Sequence, residues 1–269
     1  MTTPNTAKSK TPFIDGQNIT VTFPARKTAL FARKSYITAL NDVSISVYKG
    51  QSLAIVGESG SGKSTLIKAL FGLQRIDRGS VSFDGRPVLS KGRQRWLRAR
   101  SGIIFQDPYS SLDPRMSIGA SISEPLEALK IPGSHDALVQ EILSKLELPE
   151  DTLSRYPDEF SGGQRQRIAI ARALVHSPEV LVGDEPVSAL DVLVRRRIID
   201  LLATLRQEMG LTMISVTHDL GIVPDIAERV LVLQHGRVVE EGSVAQIFTD
   251  PQNSYTRSLI TALPRIPKF

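Results

Sequence analysis

One stretch constrains this chain more than any other: Gly57-Glu58-Ser59-Gly60-Ser61-Gly62-Lys63-Ser64-Thr65. It satisfies the spacing G-x-x-x-x-G-K-[ST], and each position has a chemical reason. The glycines let the backbone curl until successive N–H groups point inward around a phosphate chain. The N-terminus of a following helix adds its free N–H groups and its dipole to the same anion. Lys63 is placed to put a positive charge on the outer phosphates, and the Ser64 hydroxyl is the expected Mg²⁺ ligand. A Gly-Ser linker could match the spacing by accident, but the flanks argue against one. Ser52–Val56 (SLAIV) is a short apolar run of buried-strand type, and Thr65–Phe71 (TLIKALF) carries apolar residues at helical spacing.

The rest of the chain supplies the frame such a unit needs. Glu179–Val182 and Leu211–Val216 read as strands. Between them, Asp191–Met209 reads as an amphipathic helix, with Val194, Ile198, Leu201, Leu202, Leu205 and Met209 on one stripe and Gly210 as its stop. Val230–Leu233 and Val238–Glu240 flank Gln234-His235-Gly236-Arg237, a hairpin signal. Nearer the start, FIDGQNITVTF and ITALNDVSISV are β-rich stretches separated by a basic loop around Lys27–Lys34, as in an antiparallel sheet. Roughly Pro108 to Pro178 is richer in helical pattern and reads as helices inserted between core strands. Strand–helix alternation of this kind predicts an α/β fold with a mostly parallel sheet. The first dozen residues read as a disordered tail.

Composition removes several classes of function. With no cysteine in 269 residues, disulfides, thiolate metal sites and cysteine-held iron–sulfur clusters are excluded. The net charge of +5 permits an anionic partner. However, the densest basic stretch, Lys91–Arg100, has one aromatic, Trp96, rather than aromatics interleaved with the basic residues. A scattered solvated surface is the better reading, and nucleic acid is not expected as a partner. The opening MTTPNTAKSK lacks the apolar core of a signal peptide. No run approaches the roughly 18–20 apolar residues of a membrane span. The expectation is a cytosolic chain that reaches a membrane only through a partner.

A second half of the site is written further along. Val180-Leu181-Val182-Gly183-Asp184-Glu185 ends an apolar strand in two acids. Asp184 is expected to hold Mg²⁺, through a water, and Glu185 to accept a proton from the attacking water or orient it. His218 follows LTMISV directly, so it also emerges near a strand end, where it can donate to a γ-phosphate or hold Glu185 in place. A structural hydrogen-bonding role would also suit a histidine there. Gln106, after GIIF, is a neutral amide able to ligate Mg²⁺ and contact the water. Ser161-Gly162-Gly163-Gln164 opens a helical run and presents a second anion receptor, with Ser161 as N-cap.

Together these residues resemble the nucleotide-binding subunits of ABC transporters. The resemblance rests on GESGSGKST, Gln106, the signature FSGGQRQR, VLVGDEP, Ser188-Ala189-Leu190-Asp191 and His218, in that order, and spans about Phe13 to Pro264. It implies a P-loop NTPase with a RecA-like core, an antiparallel β subdomain and a helical subdomain at roughly 108–178. It further implies MgATP as ligand and a head-to-tail dimer. ATP on the Gly57–Thr65 loop of one subunit would be capped by Ser161, Gly163 and Gln164 of the other, with the Asp191 loop across the interface. The segment FQDPYSSLDPRM, then Ser123-Glu124-Pro125-Leu126 and DPQNSYTRSL near the end, is similar to the dipeptide/oligopeptide/nickel importer subfamily. That implies a related second ATPase, two transmembrane permease subunits docking after Gln106, and an extracytoplasmic substrate-binding protein. The seat would be peripheral, on the cytoplasmic face of a bacterial inner membrane. A soluble ABC ATPase is the alternative, disfavoured by the single signature and the absence of heptads. Three departures stand out. Phe160 replaces the usual Leu, Gly183 is expected to loosen its strand end, and the cysteine-bound cluster of many relatives is impossible here. The adenine-stacking aromatic is read as Tyr36, with Phe31 second.

Overall fold

The computed structural model describes residues 11–25, 36–89, 94–106, 111–188 and 190–263. Most of the expected tail, the Lys27–Lys34 loop, Phe31, part of the Lys91–Arg100 stretch, Asp107–Ser110, Ala189 and the residues from Pro264 on lie outside them.

Two sheets organise the chain. Strands β1 (Ile14–Pro24), β2 (Tyr36–Val47), β4 (Arg78–Phe83) and β5 (Arg86–Pro87) form an antiparallel sheet in the order β2-β1-β4-β5. The two N-terminal stretches pair as expected, Ile14 with Val47 and Val21 with Leu40. Strands β4 and β5 leave little signal in the sequence, because RGSVSFDGRP is short and broken by glycine. The larger sheet holds β3 (Ser52–Val56), β6 (Ser101–Ile104), β7 (Val180–Asp184), β8 (Thr212–Thr217), β9 (Arg229–Gln234) and β10 (Arg237–Ser243), in the order β10-β9-β3-β8-β7-β6. Every pair is parallel except β9–β10. That hairpin turns through His235 and Gly236, both at positive φ, as a two-residue primed turn requires.

The helices are α1 (Lys63–Leu70), α2 (Arg95–Arg98), α3 (Ile118–Leu129), α4 (His135–Lys145), α5 (Gly162–Leu174), α6 (Val192–Met209), α7 (Val223–Ile226), α8 (Val244–Thr249) and α9 (Ser254–Thr261). Strand β3 is buried throughout and splits its side chains by the period of two. Leu53 and Ile55 face a core shared with α1 and the antiparallel sheet. Ala54 and Val56 face a second core covered by α7, α8 and α9. A third core joins β6, β7 and β8 to the inserted helices α3–α5 and to α6. The predicted stripe on α6 packs against this core and gains Ile199. Ile198, Ile199, Leu202 and Leu205 are buried, while Val194, Leu201 and Met209 are only partly so.

A charged cluster fastens the two sheets together. Arg100 lies over the Phe13 and Phe83 rings at 5.5 and 5.0 Å, reaches Asp84 at 2.8 Å, and donates through Nε to Glu179. Lys49 adds a 2.7 Å bond to the same Glu179 carboxylate. The Arg100 guanidinium, and then Lys49, hold that carboxyl below the usual range, against the opposing effect of burial. A depressed folded-state pKa contributes stability present above the unfolded-state value and lost as pH falls through the folded one. Thermal unfolding should therefore show a falling midpoint between about pH 6 and pH 3. Glu179→Gln is expected to lower the midpoint at neutral pH and shrink that acid-side drop. An unaltered pH profile in the variant would show that the cluster carries no such stability.

Candidate nucleotide site

Four adjacent strands of one parallel sheet deliver the site. Their order is β3-β8-β7-β6, and their C-terminal ends carry, in turn, the Gly57 loop, His218, Asp184–Glu185 and Gln106. Strand β3 has β8 on one side and β9 on the other, so the loop leaves the sheet where open α/β sheets bind ligands.

The loop is pinned at several points. Gly57, Gly60 and Gly62 have φ of 152°, 80° and 106°. A Cβ on Gly57 would lie 2.1 Å from the Leu233 carbonyl oxygen, so no other residue fits there. The Ser61 carbonyl accepts from Gly236 N–H at 2.9 Å, and the Ser61 hydroxyl is buried with no hydrogen-bond partner among the described residues. Ser64 and Thr65 fall in the first turn of α1, where N–H groups have no acceptor within the helix. Lys63 is only 6% exposed and bends back, with Nζ donating to the Gly57 and Glu58 carbonyls at 2.7 and 2.8 Å. Burial pulls its pKa below the ordinary lysine value, while Glu185 and Asp184 oppose the shift.

The two acids divide as their positions require. Asp184 Oδ1 accepts from the Ser64 hydroxyl at 3.2 Å, which brings together an alcohol and a carboxylate suited to a hard cation. Glu185 adopts φ of 53°, sparsely populated for a residue with a side chain. Its N–H donates to the Val216 carbonyl at 2.9 Å, which holds the turn. One carboxylate oxygen accepts from Gln106 Nε2 at 2.8 Å, and the other lies 2.8 Å from His218 Nδ1. The Glu185 side chain is 14% exposed and His218 58%. His218 thus stands within hydrogen-bond reach of the Glu185 carboxylate. Gln106 turns its nitrogen to Glu185, which leaves its oxygen as the atom able to ligate a cation. Gly183 does not loosen the strand: a Cβ there would lie 2.7 Å from Pro186 Cγ, so glycine admits the proline ring that closes the turn.

An opening of about 440 Å³ joins Gly57, Glu58 and Ser59 to Gln106, Glu185 and His218. Leu220 and Leu259 complete its wall, and neither was expected from the sequence. Tyr36 is 62% exposed at the start of β2, the strand whose Ala39 carbonyl abuts Gly62. The Ser161–Gln164 turn shares no hydrogen bond with the phosphate loop of its own chain among the described residues. Ser161 and Gln164 instead form a reciprocal cap, at 3.4 Å from Gln164 N to Ser161 Oγ and 3.0 Å from Ser161 N to Gln164 Oε1. Gly163 is packed so closely on Val194 of α6 that a Cβ would lie 2.5 Å from it. The Asp191 carboxylate caps α6, accepting from Leu193 and Val194 N–H at 3.1 and 3.0 Å. Phe160 is buried beneath the Arg155 guanidinium, 4.3 Å from its ring, so the larger side chain is accommodated.

A phosphate loop on a parallel sheet, faced by strand-end acids, defines a P-loop nucleoside triphosphatase. The chain belongs to the ABC transporter family: the model described as "ABC transporter" matches residues 40–188, and with that family comes ATPase activity. Oligopeptide transport ATP-binding protein OppF of Haemophilus influenzae is 42% identical over 88% of this chain and 73% of that protein. Dipeptide transport ATP-binding protein DppF of the same organism is 41% identical over 97% and 81%. A dimeric ATP-binding cassette, MJ0796, solved in a post-hydrolysis state with ADP and Pi, superimposes with a TM-score of 0.73. It is 30% identical and covers 86% of this chain and 98% of its own.

Proposed function

We propose that the chain is the MgATP-driven subunit of a peptide importer, and that Glu185 is its general base. The observation that carries the reading is the convergence of the phosphate loop, Gln106, Glu185 and His218 on one opening. Ser64, Asp184 and the Gln106 oxygen would hold Mg²⁺, and the ion supplies charge neutralisation on the phosphates when bound. Lys63 exchanges its two loop carbonyls for phosphate oxygens. Glu185 takes a proton from the attacking water, and His218 and Gln106 keep the carboxylate aimed. Tyr36 stacks on the base.

Three features support assembly. The Ser161–Gln164 turn is an exposed anion receptor away from its own loop, which suits capping of ATP in a second ATPase subunit. Val192 and Leu193, 77% and 75% exposed beside Asp191, offer that subunit an apolar contact. An open groove of about 680 Å³ shortly after Gln106, lined by Asp113, Pro114, Arg115, Met116 and Glu124, suits a short helix of a permease. Peptide as cargo follows from the similarity to the oligopeptide and dipeptide transport proteins OppF and DppF, and an extracytoplasmic binding protein would deliver it. Those names also weigh against a soluble ABC ATPase. No described helix is long and apolar enough to cross a membrane, so a peripheral seat on the cytoplasmic face of the inner membrane fits the reading. Co-purification with the two permease subunits tests the groove. Met116→Asp is expected to cut recovery of the complex about tenfold while the chain alone stays folded, since a buried unpaired charge costs a contact dearly. Full recovery would remove the groove from the interface.

A further inference from the structure

Tyr255, on helix α9, touches the phosphate loop from 197 residues away. Its hydroxyl accepts a hydrogen bond from Glu58 N–H at 3.0 Å. That N–H and the Gly57 carbonyl belong to one planar trans peptide and point in opposite directions. The Gly57 carbonyl takes Lys63 Nζ at 2.7 Å. A single peptide plane is therefore held at both edges, by Lys63 on one side and Tyr255 on the other. The tyrosine is itself well seated. Its ring packs with Leu259 and Ile260 on the core under Ala54 and Val56, and its own N–H donates to Asn253 Oδ1 at 2.8 Å. Asn253 N–H in turn reaches the Glu240 carboxylate of β10 at 3.1 Å. One turn beyond Tyr255, Leu259 lines the opening that holds Gln106, Glu185 and His218. Both residues lie beyond 188, where the family match ends.

We propose that Tyr255 is a positioning residue of the nucleotide site: its hydroxyl sets the plane of the Gly57–Glu58 peptide, and with it the seat of Lys63. The C-terminal helix thereby tunes affinity for ATP. This rests on the Gly57–Thr65 loop being the ATP site. Loss of the hydroxyl leaves the ring packing in place but frees the peptide, so ordering the loop must be done by the nucleotide.

The test compares the full-length wild type with Tyr255→Phe, using a fluorescent ATP analogue with Mg²⁺, steady-state ATPase kinetics, and thermal unfolding without nucleotide. Nucleotide binding should weaken about three- to tenfold in the variant, the scale of one hydrogen bond. The KM for ATP should rise by a similar factor while kcat stays within about twofold, because an interaction of the ground state is removed. The nucleotide-free midpoint should move by no more than about 2 °C. Equal affinity and KM in the two proteins would overturn the proposal. So would a fall in affinity matched by a fall in nucleotide-free stability, which marks a purely structural tyrosine. A wild type that binds no nucleotide would remove the reading of the loop as well.

Discussion

Replacing Glu185 with Gln is expected to leave ATP binding intact and to lower turnover by about 10²- to 10⁴-fold, the usual share of a positioned general base. The size follows from where the carboxylate stands. Both of its oxygens are engaged, by Gln106 and His218 at 2.8 Å each, and the group is nearly buried. A water entering the opening would meet a carboxylate whose orientation is already set by these two partners. The amide keeps the shape of the carboxylate but presents one acceptor oxygen where two donors arrived. His218 can absorb that change by switching tautomer, so Nδ1 accepts from the new amide. The fold and the loop are untouched, and only the proton acceptor is lost. Nucleotide titration and single-turnover hydrolysis separate the two effects, and the variant should accumulate as an ATP-bound dimer. Wild-type turnover in Glu185→Gln would assign the base elsewhere.

Lys63→Ala should act on binding itself, weakening ATP by roughly 10- to 100-fold, the scale of a charge-assisted contact to phosphate. Lys63 is buried, and among the described residues its ammonium donates to the Gly57 and Glu58 carbonyls. Neutral carbonyls compensate a desolvated charge less well than phosphate oxygens do, so nucleotide is favoured where burial has already been met. The lowered lysine pKa has the same origin, and Asp184 and Glu185 counter it. Alanine removes the cation and takes its bond from the Gly57 carbonyl, while the Glu58 carbonyl keeps the Ser61 N–H at 3.2 Å. The measurement is equilibrium binding of MgATP; an affinity within twofold of wild type would deny Lys63 its phosphate role.

Much of this site was legible because its chemistry is local. A phosphate loop needs glycines, a lysine and a hydroxyl within nine residues, and the strand–loop–helix frame is written immediately around them. The strand ends at Glu185 and near His218 were readable for the same reason, since an apolar run stops where polar function begins. What the sequence concealed depends on distant partners. Gly183 looked like a weakness until Pro186 was found folded over it. Gly163 reads as an anion receptor, yet its lack of a side chain also lets α5 meet Val194. On α6 burial also takes in Ile199, outside the ideal stripe, because it is set by the packing of α5 and the sheet. Tyr255 carried no local signal of contact with Glu58, since nothing within a few residues of either names the other.

The central claim is that this chain hydrolyses ATP at Glu185 in order to drive a permease. It is tested most directly by ATP hydrolysis in membranes holding the chain, both permease subunits and the binding protein, with and without peptide. Peptide-loaded binding protein is expected to stimulate hydrolysis several-fold, and Glu185→Gln to abolish the stimulated rate. Hydrolysis indifferent to permease and peptide, or undiminished in Glu185→Gln, would contradict it.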